Sequence, residues 1–148
     1  MPFNPASGPV GKFLLPADCE ELVCSYLSAN GFANVGVEMT AATPLPFVLV
    51  TVIDDPEDMV TARAAVQIDA FQPTMTLAST TMRQVHLLMK NLVGAPVLMS
   101  TPGPFGTNYV SIDCIEVIEG PHWEDYGSKE IRRYCARYHI GRRCNLSS

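Results

Sequence analysis

Between Ala62 and Leu92 the spacing of apolar residues changes from two to between three and four, and that change describes a strand running into a helix. Ala64, Val66, Ile68 and Ala70 alternate with Ala65, Gln67, Asp69 and Phe71, the period of a strand with one buried face. Pro73 stops the strand. Thr74 or Thr76 then offers an oxygen to the orphan N–H groups at a helix start. Ala78, Met82, Val85, Met89 and Leu92 recur at helical spacing, with Leu88 widening the stripe. Gly94 is placed to end the helix, with Pro96 just beyond. Neither apolar face is tolerable in water, so the helix is expected to lie on a sheet that contains the strand.

A chain of 148 residues suits one domain, long enough to withdraw roughly 70% of its unfolded surface from water. Apolar residues make up 47% and charged residues 17%, which points to a globular protein with part of its surface covered by partners. No apolar run is long enough to span a bilayer. The opening MPFNPASGPVGKFLLP lacks a charged segment followed by an apolar one, so no signal peptide and no membrane are expected, and the protein is expected to be made in a cytoplasm. Cys19, Cys24, Cys114, Cys135 and Cys144 are odd in number and show no CxxC spacing. They read as thiols acting as small hydrophobes, without a zinc or disulfide framework.

Charge is uneven along the chain. Lys129, Arg132, Arg133, Arg137, Arg142 and Arg143 are six of the ten basic residues. Against the single acid Glu130 they give the last twenty positions +5, and the first 128 residues carry −10, which together make the net −5. Such polarity suits two surfaces meeting different partners, or copies of one chain arranged with opposite signs facing.

In order, residues 1–16 hold Pro2, Pro5, Gly8, Pro9 and Gly11 and are expected to form an extended N-terminal arm, anchored on a neighbour by Phe3 and Phe13. Residues 17–148 are expected to form a single α+β domain. A first helix follows Pro16, with Asp18, Glu20 and Glu21 near its start, Leu22, Val23, Tyr26 and Leu27 on one face, and Asn30-Gly31 closing it. Val35–Thr40 alternates as a short strand, and Phe47–Ile53 is an apolar strand set off by Pro44 and Pro46. Asp54, Asp55, Glu57 and Asp58 lie in the link to the central strand, either a solvated loop or an acidic rim.

Gly94–Asn108 reads as a long irregular loop for binding or assembly. Tyr109–Ile118 reads as a strand whose phase slips after Cys114, the mark of a bulge. Glu119–Ser128 reads as a connection. The last strand, Glu130–Ile140, places Arg132, Tyr134, Ala136, Tyr138 and Ile140 on one face and Ile131, Arg133, Cys135, Arg137 and His139 on the other, its arginines blunting an exposed edge. The fold class is therefore α+β: a mostly antiparallel sheet of about five strands with two main helices packed on one face.

No GxGxxG, P-loop, HExxH or GxSxG motif occurs. His86 sits beside the apolar stripe and reads as structural. His122 and His139 can approach Cys135 and imitate a thiol with its base, but nothing local marks an activated cysteine. The expectation is no enzyme, with no catalytic residue, cofactor or metal. The basic C-terminal strand suits nucleic acid, yet its interleaved arginines and tyrosines in an acidic chain suit a protein interface better.

The strand and helix Ala65-Val66-Gln67-Ile68-Asp69-Ala70-Phe71 and Leu77–Leu92, the late strand Tyr109–Ile118, the turn Gly120-Pro121-His122-Trp123, and the arginine-rich strand through Tyr138-His139-Ile140 carry a resemblance. In order and pattern over most of Ala17–Gly141, the chain resembles the tail terminator (tail completion) proteins of long, non-contractile-tailed bacteriophages. The resemblance implies a sheet flanked by helices and small subunits that form a hexameric ring on the end of the tail tube. Such a ring stops tube growth and offers a surface for the head connector.

The resulting expectation is a structural virion protein at the head-proximal end of the tail, made in the host bacterial cytoplasm. Its partners would be its own copies, the tail tube protein and the head-tail connector, with DNA only passing through the lumen. The alternatives are another neck or tail-tube subunit or, from another class, a small thiol-dependent enzyme. A lumen must let a polyanion slide without holding it. Asp54, Asp55, Glu57 and Asp58 are therefore expected at the channel or its rim, and Arg132, Arg133, Arg137, Arg142 and Arg143, with Phe3 and Phe13, at subunit or partner interfaces.

Overall fold

The computed structural model describes residues 19–40, 42–54, 61–94, 97–98, 109–110 and 112–143, with the backbone alone at 54, 61–63, 98, 109–110 and 142–143. Helix α1 spans Cys19–Ala29, with Glu20 and Glu21 in its first turn, where the helix dipole favours negative charge. Leu22, Val23, Tyr26 and Leu27 form its buried face. Gly31 takes φ 105° just beyond, a conformation that costs glycine nothing, and the Phe32 N–H returns to the Leu27 carbonyl at 3.2 Å. The closure at Asn30-Gly31 is as read from the sequence.

Strands β1 (Val35–Gly36), β2 (Phe47–Asp54) and β3 (Thr61–Gln72) are followed by helix α2 (Met75–Lys90). Then come β4 (Val97–Leu98), β5 (Tyr109–Val110), β6 (Ile112–Glu124) and β7 (Arg132–Arg143). The main sheet has five strands in the order β1-β2-β3-β7-β6, and β4 and β5 pair separately as a short ribbon. Only β1 with β2 is parallel; β2–β3, β3–β7 and β6–β7 are antiparallel. β3 and β7 pair without a register shift from Thr61↔Arg143 to Gln72↔Arg132. This ladder lies at the centre of the sheet.

Both helices feed one core. Leu22, Val23 and Leu27 of α1, and Met82, Val85 and Met89 of α2, pack with Val48 and Val50, with Ala64, Val66, Ile68 and Ala70, and with Ala136, Tyr138 and Ile140. Two polar contacts lock the layers. The Tyr26 hydroxyl donates to the Leu88 carbonyl at 2.7 Å, and the Val52 N–H donates to Glu20 Oε2 at 3.1 Å. The α+β fold, with its mostly antiparallel sheet of five strands and two main helices, is therefore as the sequence reads.

Four boundaries differ from the expectation. The helix ends at Lys90, not Gly94, because Val93 bridges to Ile112 and the Gly94 N–H donates to the Ile112 carbonyl at 3.2 Å. The strand read as Val35–Thr40 is only Val35–Gly36, and the chain leaves the sheet at the half-exposed Val37. The Gly94–Asn108 stretch contributes Val97–Leu98 to a ribbon with Tyr109–Val110, so the late strand divides. β6 then runs on through Gly120-Pro121 to Glu124 where a connection was expected. Its register shifts, between Ile112 and Cys114, Val117 and Glu119, and Glu119 and His122, absorb the proline and include the bulge the phase slip announced. Finally, β7 is interior rather than an edge, since β6 pairs along its outer side.

A polar network on the helix-free face of the sheet

Alternation along β3 and β7 leaves one set of side chains turned away from the helices: Gln67, Asp69 and Phe71 on β3, and Arg133, Cys135, Arg137 and His139 on β7. The antiparallel register sets Gln67 opposite Arg137, Asp69 opposite Cys135, and Phe71 opposite Arg133. From the other side β6 sets Glu119 opposite Arg137, His122 opposite Cys135, and Glu124 opposite Arg133. Directly opposed residues share a face, so the three strands bring these groups into one patch. Phe71 closes one end of it with the Tyr126 ring, edge to face at 4.9 Å between centroids.

Asp69 is 2% exposed, and a carboxylate so buried needs partners. Arg133 Nε donates to its Oδ1 at 2.8 Å, and Gln67 Nε2 donates to its two oxygens at 3.2 and 3.0 Å. Gln67 Oε1 accepts from Arg137 Nε at 3.0 Å, and Arg137 Nη1 donates to Glu119 Oε1 at 3.0 Å. The network continues into His122, whose Nε2 lies 3.4 Å from Glu119 Oε2 and 3.1 Å from Glu124 Oε1. His122 Nδ1 bonds the Gly120 carbonyl at 2.8 Å. An unbroken path thus runs from Arg133 to Glu124 across three strands.

The electrostatics follow from this geometry. The Gly120 carbonyl foremost raises His122 above the ordinary imidazole value, burial opposes it next, and Glu124 and Glu119 each add a smaller upward effect. The Cys135 thiol is pushed up to about 12, by burial first and then by the charge of Asp69 and the hydrogen bond to it. On the helix side His86 Nδ1 and the Tyr138 hydroxyl share a 2.7 Å hydrogen bond. Burial and Lys90 lower His86, while burial raises Tyr138.

No protein-family model matches the chain, and no curated protein matches it. Among solved structures, one similar chain belongs to the virion of a native gene transfer agent particle. The two share 16% identity, with 86% of this chain and 87% of that one covered, at a TM-score of 0.49.

Of the residues singled out from the sequence, Arg133 and Arg137 lie in the network, both paired within the chain. Arg132 is on the opposite face of β7, in register with Gln72. Arg142 and Arg143 occupy the far end of β7, opposite Ala62 and Thr61, and Asp54 ends β2 opposite Ala65. Phe3, Phe13, Asp55, Glu57 and Asp58 lie outside the described residues. Cys135 is buried, as a small hydrophobe would be, but its neighbours are polar. Sequence reasoning allowed His122 to approach Cys135, as it does, but did not gather Gln67, Asp69, Glu119 and Glu124 around it. The one available signal was Asp69 and Arg133 at outward positions of their strands; the register that joins them is long-range.

Proposed function

We propose that the chain is a structural virion protein that caps the end of a phage tail tube as a closed ring, stopping polymerisation and presenting a surface for head joining. The observation that carries this reading is that the segments resembling tail terminators form one contiguous body. Ala65–Phe71 and the late strands share the central ladder, and Leu77–Leu92 lies across it. Support also comes from the long outer strand β6, where Val117, Ile118 and Trp123 stand exposed beside the acids Asp113 and Glu116. A neighbouring copy would cover such an edge. A cap on a symmetric tube requires a head-to-tail contact that closes, and six copies follow from the resemblance alone.

Native mass measurement of the purified chain, alone and with the tail tube protein, tests the ring. A closed oligomer in either sample supports it, and monomer in both overturns it. Imaging of particles then separates a terminator from another neck or tube subunit by whether the protein sits at the head-proximal end of the tail.

The approach of His122 to Cys135 favours a second reading, a small thiol-dependent enzyme. A nucleophilic thiol needs its thiolate form, whereas this one is fully buried and held protonated beside Asp69. The structural reading accounts for the site better.

A further inference from the structure

We propose that His122, Glu124 and Cys135 form a binding site for one divalent ion of the zinc class, on the helix-free face where β6 meets β7. The ligand atoms of His122, Glu124 and Cys135 all lie within 4.8 Å of one another. Glu119 Oε2, 3.4 Å from the His122 nitrogen, stands outside that group as a neighbouring negative charge, its other oxygen held by Arg137. A tetrahedral zinc ion, with bonds of about 2.0–2.3 Å, places its donors roughly 3.4–3.7 Å apart. Small side-chain rotations therefore bring the set to coordination geometry. The inference is independent of the assembly reading above.

Three features distinguish this cluster from an ordinary surface ion pair. His122 Nδ1 donates to the Gly120 carbonyl, which leaves Nε2 as the ring nitrogen turned to the carboxylates, the usual outer support of a metal-bound histidine. The donor set mixes nitrogen, sulfur and oxygen, which selects zinc-like ions over the all-oxygen preference of magnesium or calcium. Charge also favours a cation. Among the described residues the ion pairs set three carboxylates, Asp69, Glu119 and Glu124, against two guanidinium groups, Arg133 and Arg137. On binding, the ion takes the thiolate of Cys135 and the thiol proton leaves to solvent.

The sequence shows no metal-ligand spacing because the donors belong to two strands and meet through a bulged register. Chelator-stripped full-length protein titrated with Zn2+ in a calorimeter tests the site, with Co2+ as a spectroscopic substitute. One ion bound per chain, a cobalt-thiolate charge-transfer band in the near ultraviolet, and affinity that rises with pH are expected. His122→Gln, at a half-exposed position, and Cys135→Ser should each weaken binding by more than about 10-fold. Cys114→Ser should leave it unchanged, and Mg2+ should not compete. Failure to bind Zn2+, binding that survives His122→Gln, or bound Co2+ without a thiolate band would overturn the proposal.

Discussion

Asp69 holds together much of the polar sheet face, because Arg133, Gln67 and the Cys135 thiol all bond to one buried carboxylate. Asp69→Ala leaves a largely buried guanidinium without its counter-charge, and we expect a loss of about 3 kcal/mol in urea unfolding. Asp69→Asn, which keeps the shape, should lose less; an alanine variant as stable as the parent would show the network to be energetically idle. The Arg137–Glu119 pair is more than a third exposed on both sides and contributes about 1 kcal/mol at most. The histidines make a pH prediction. Ring-proton NMR should find His122 titrating above 6.5 and His86 below it. The stabilisation from His122 is complete below 6.5 and is lost as pH rises through its raised folded value. That from His86 is present above 6.5 and is lost as pH falls through its lowered one. Reversal of this order would contradict the two environments.

Among the elements, α2 depends on both its start and its buried stripe. Thr74 has extended backbone, and its hydroxyl accepts from the Leu77 N–H at 3.3 Å. Thr74→Ala should therefore cost about 1 kcal/mol, and Met82→Ala, in the sealed core, about 3 kcal/mol, both readable in chemical denaturation. The bulge in β6 yields a sharper test. Gly141 faces Cys114 across the ladder, and a Cβ at 141 would stand 2.5 Å from the Cys114 sulfur. Gly141→Ala should destabilise by about 1–2 kcal/mol, with most of the loss recovered when Cys114→Ala is added. A double-mutant cycle showing no coupling would place the glycine's role elsewhere.

For the whole molecule, the arginines divide by face. Arg133→Glu breaks the Asp69 pair inside the subunit before it tests any contact between subunits. Arg132, on the opposite face of β7, is the better probe. If the proposed ring uses this strand, Arg132→Glu should abolish assembly in reconstitution with the tube protein while leaving the subunit's melting temperature near that of the parent. If Asp54 and Asp55 line the rim of that proposed ring, neutralising them should leave assembly intact. Assembly that tolerates Arg132→Glu and fails on loss of the acids would reverse the assignment.

Short-range periodicity determined most of the elements. Ala64 to Ala70 at every second position, and Ala78 to Met89 at helical spacing, mark the faces that are buried, since side-chain direction follows from backbone geometry within a few residues. The cap, at the first of its two candidates Thr74 and Thr76, the closure at Gly31 and the bulge near Cys114 were legible for the same reason. Tertiary structure decided what depends on partners distant in the chain. The helix stops at Lys90 because Val93 and Gly94 engage Ile112. β7 became interior because β6 pairs along its outer side, from Ile112 opposite Arg142 to Glu124 opposite Arg133. The polar network arises because pairing brings Asp69, Cys135 and His122 side by side from three strands. A pairing register is a property of two strands at once, and no period within one of them encodes it.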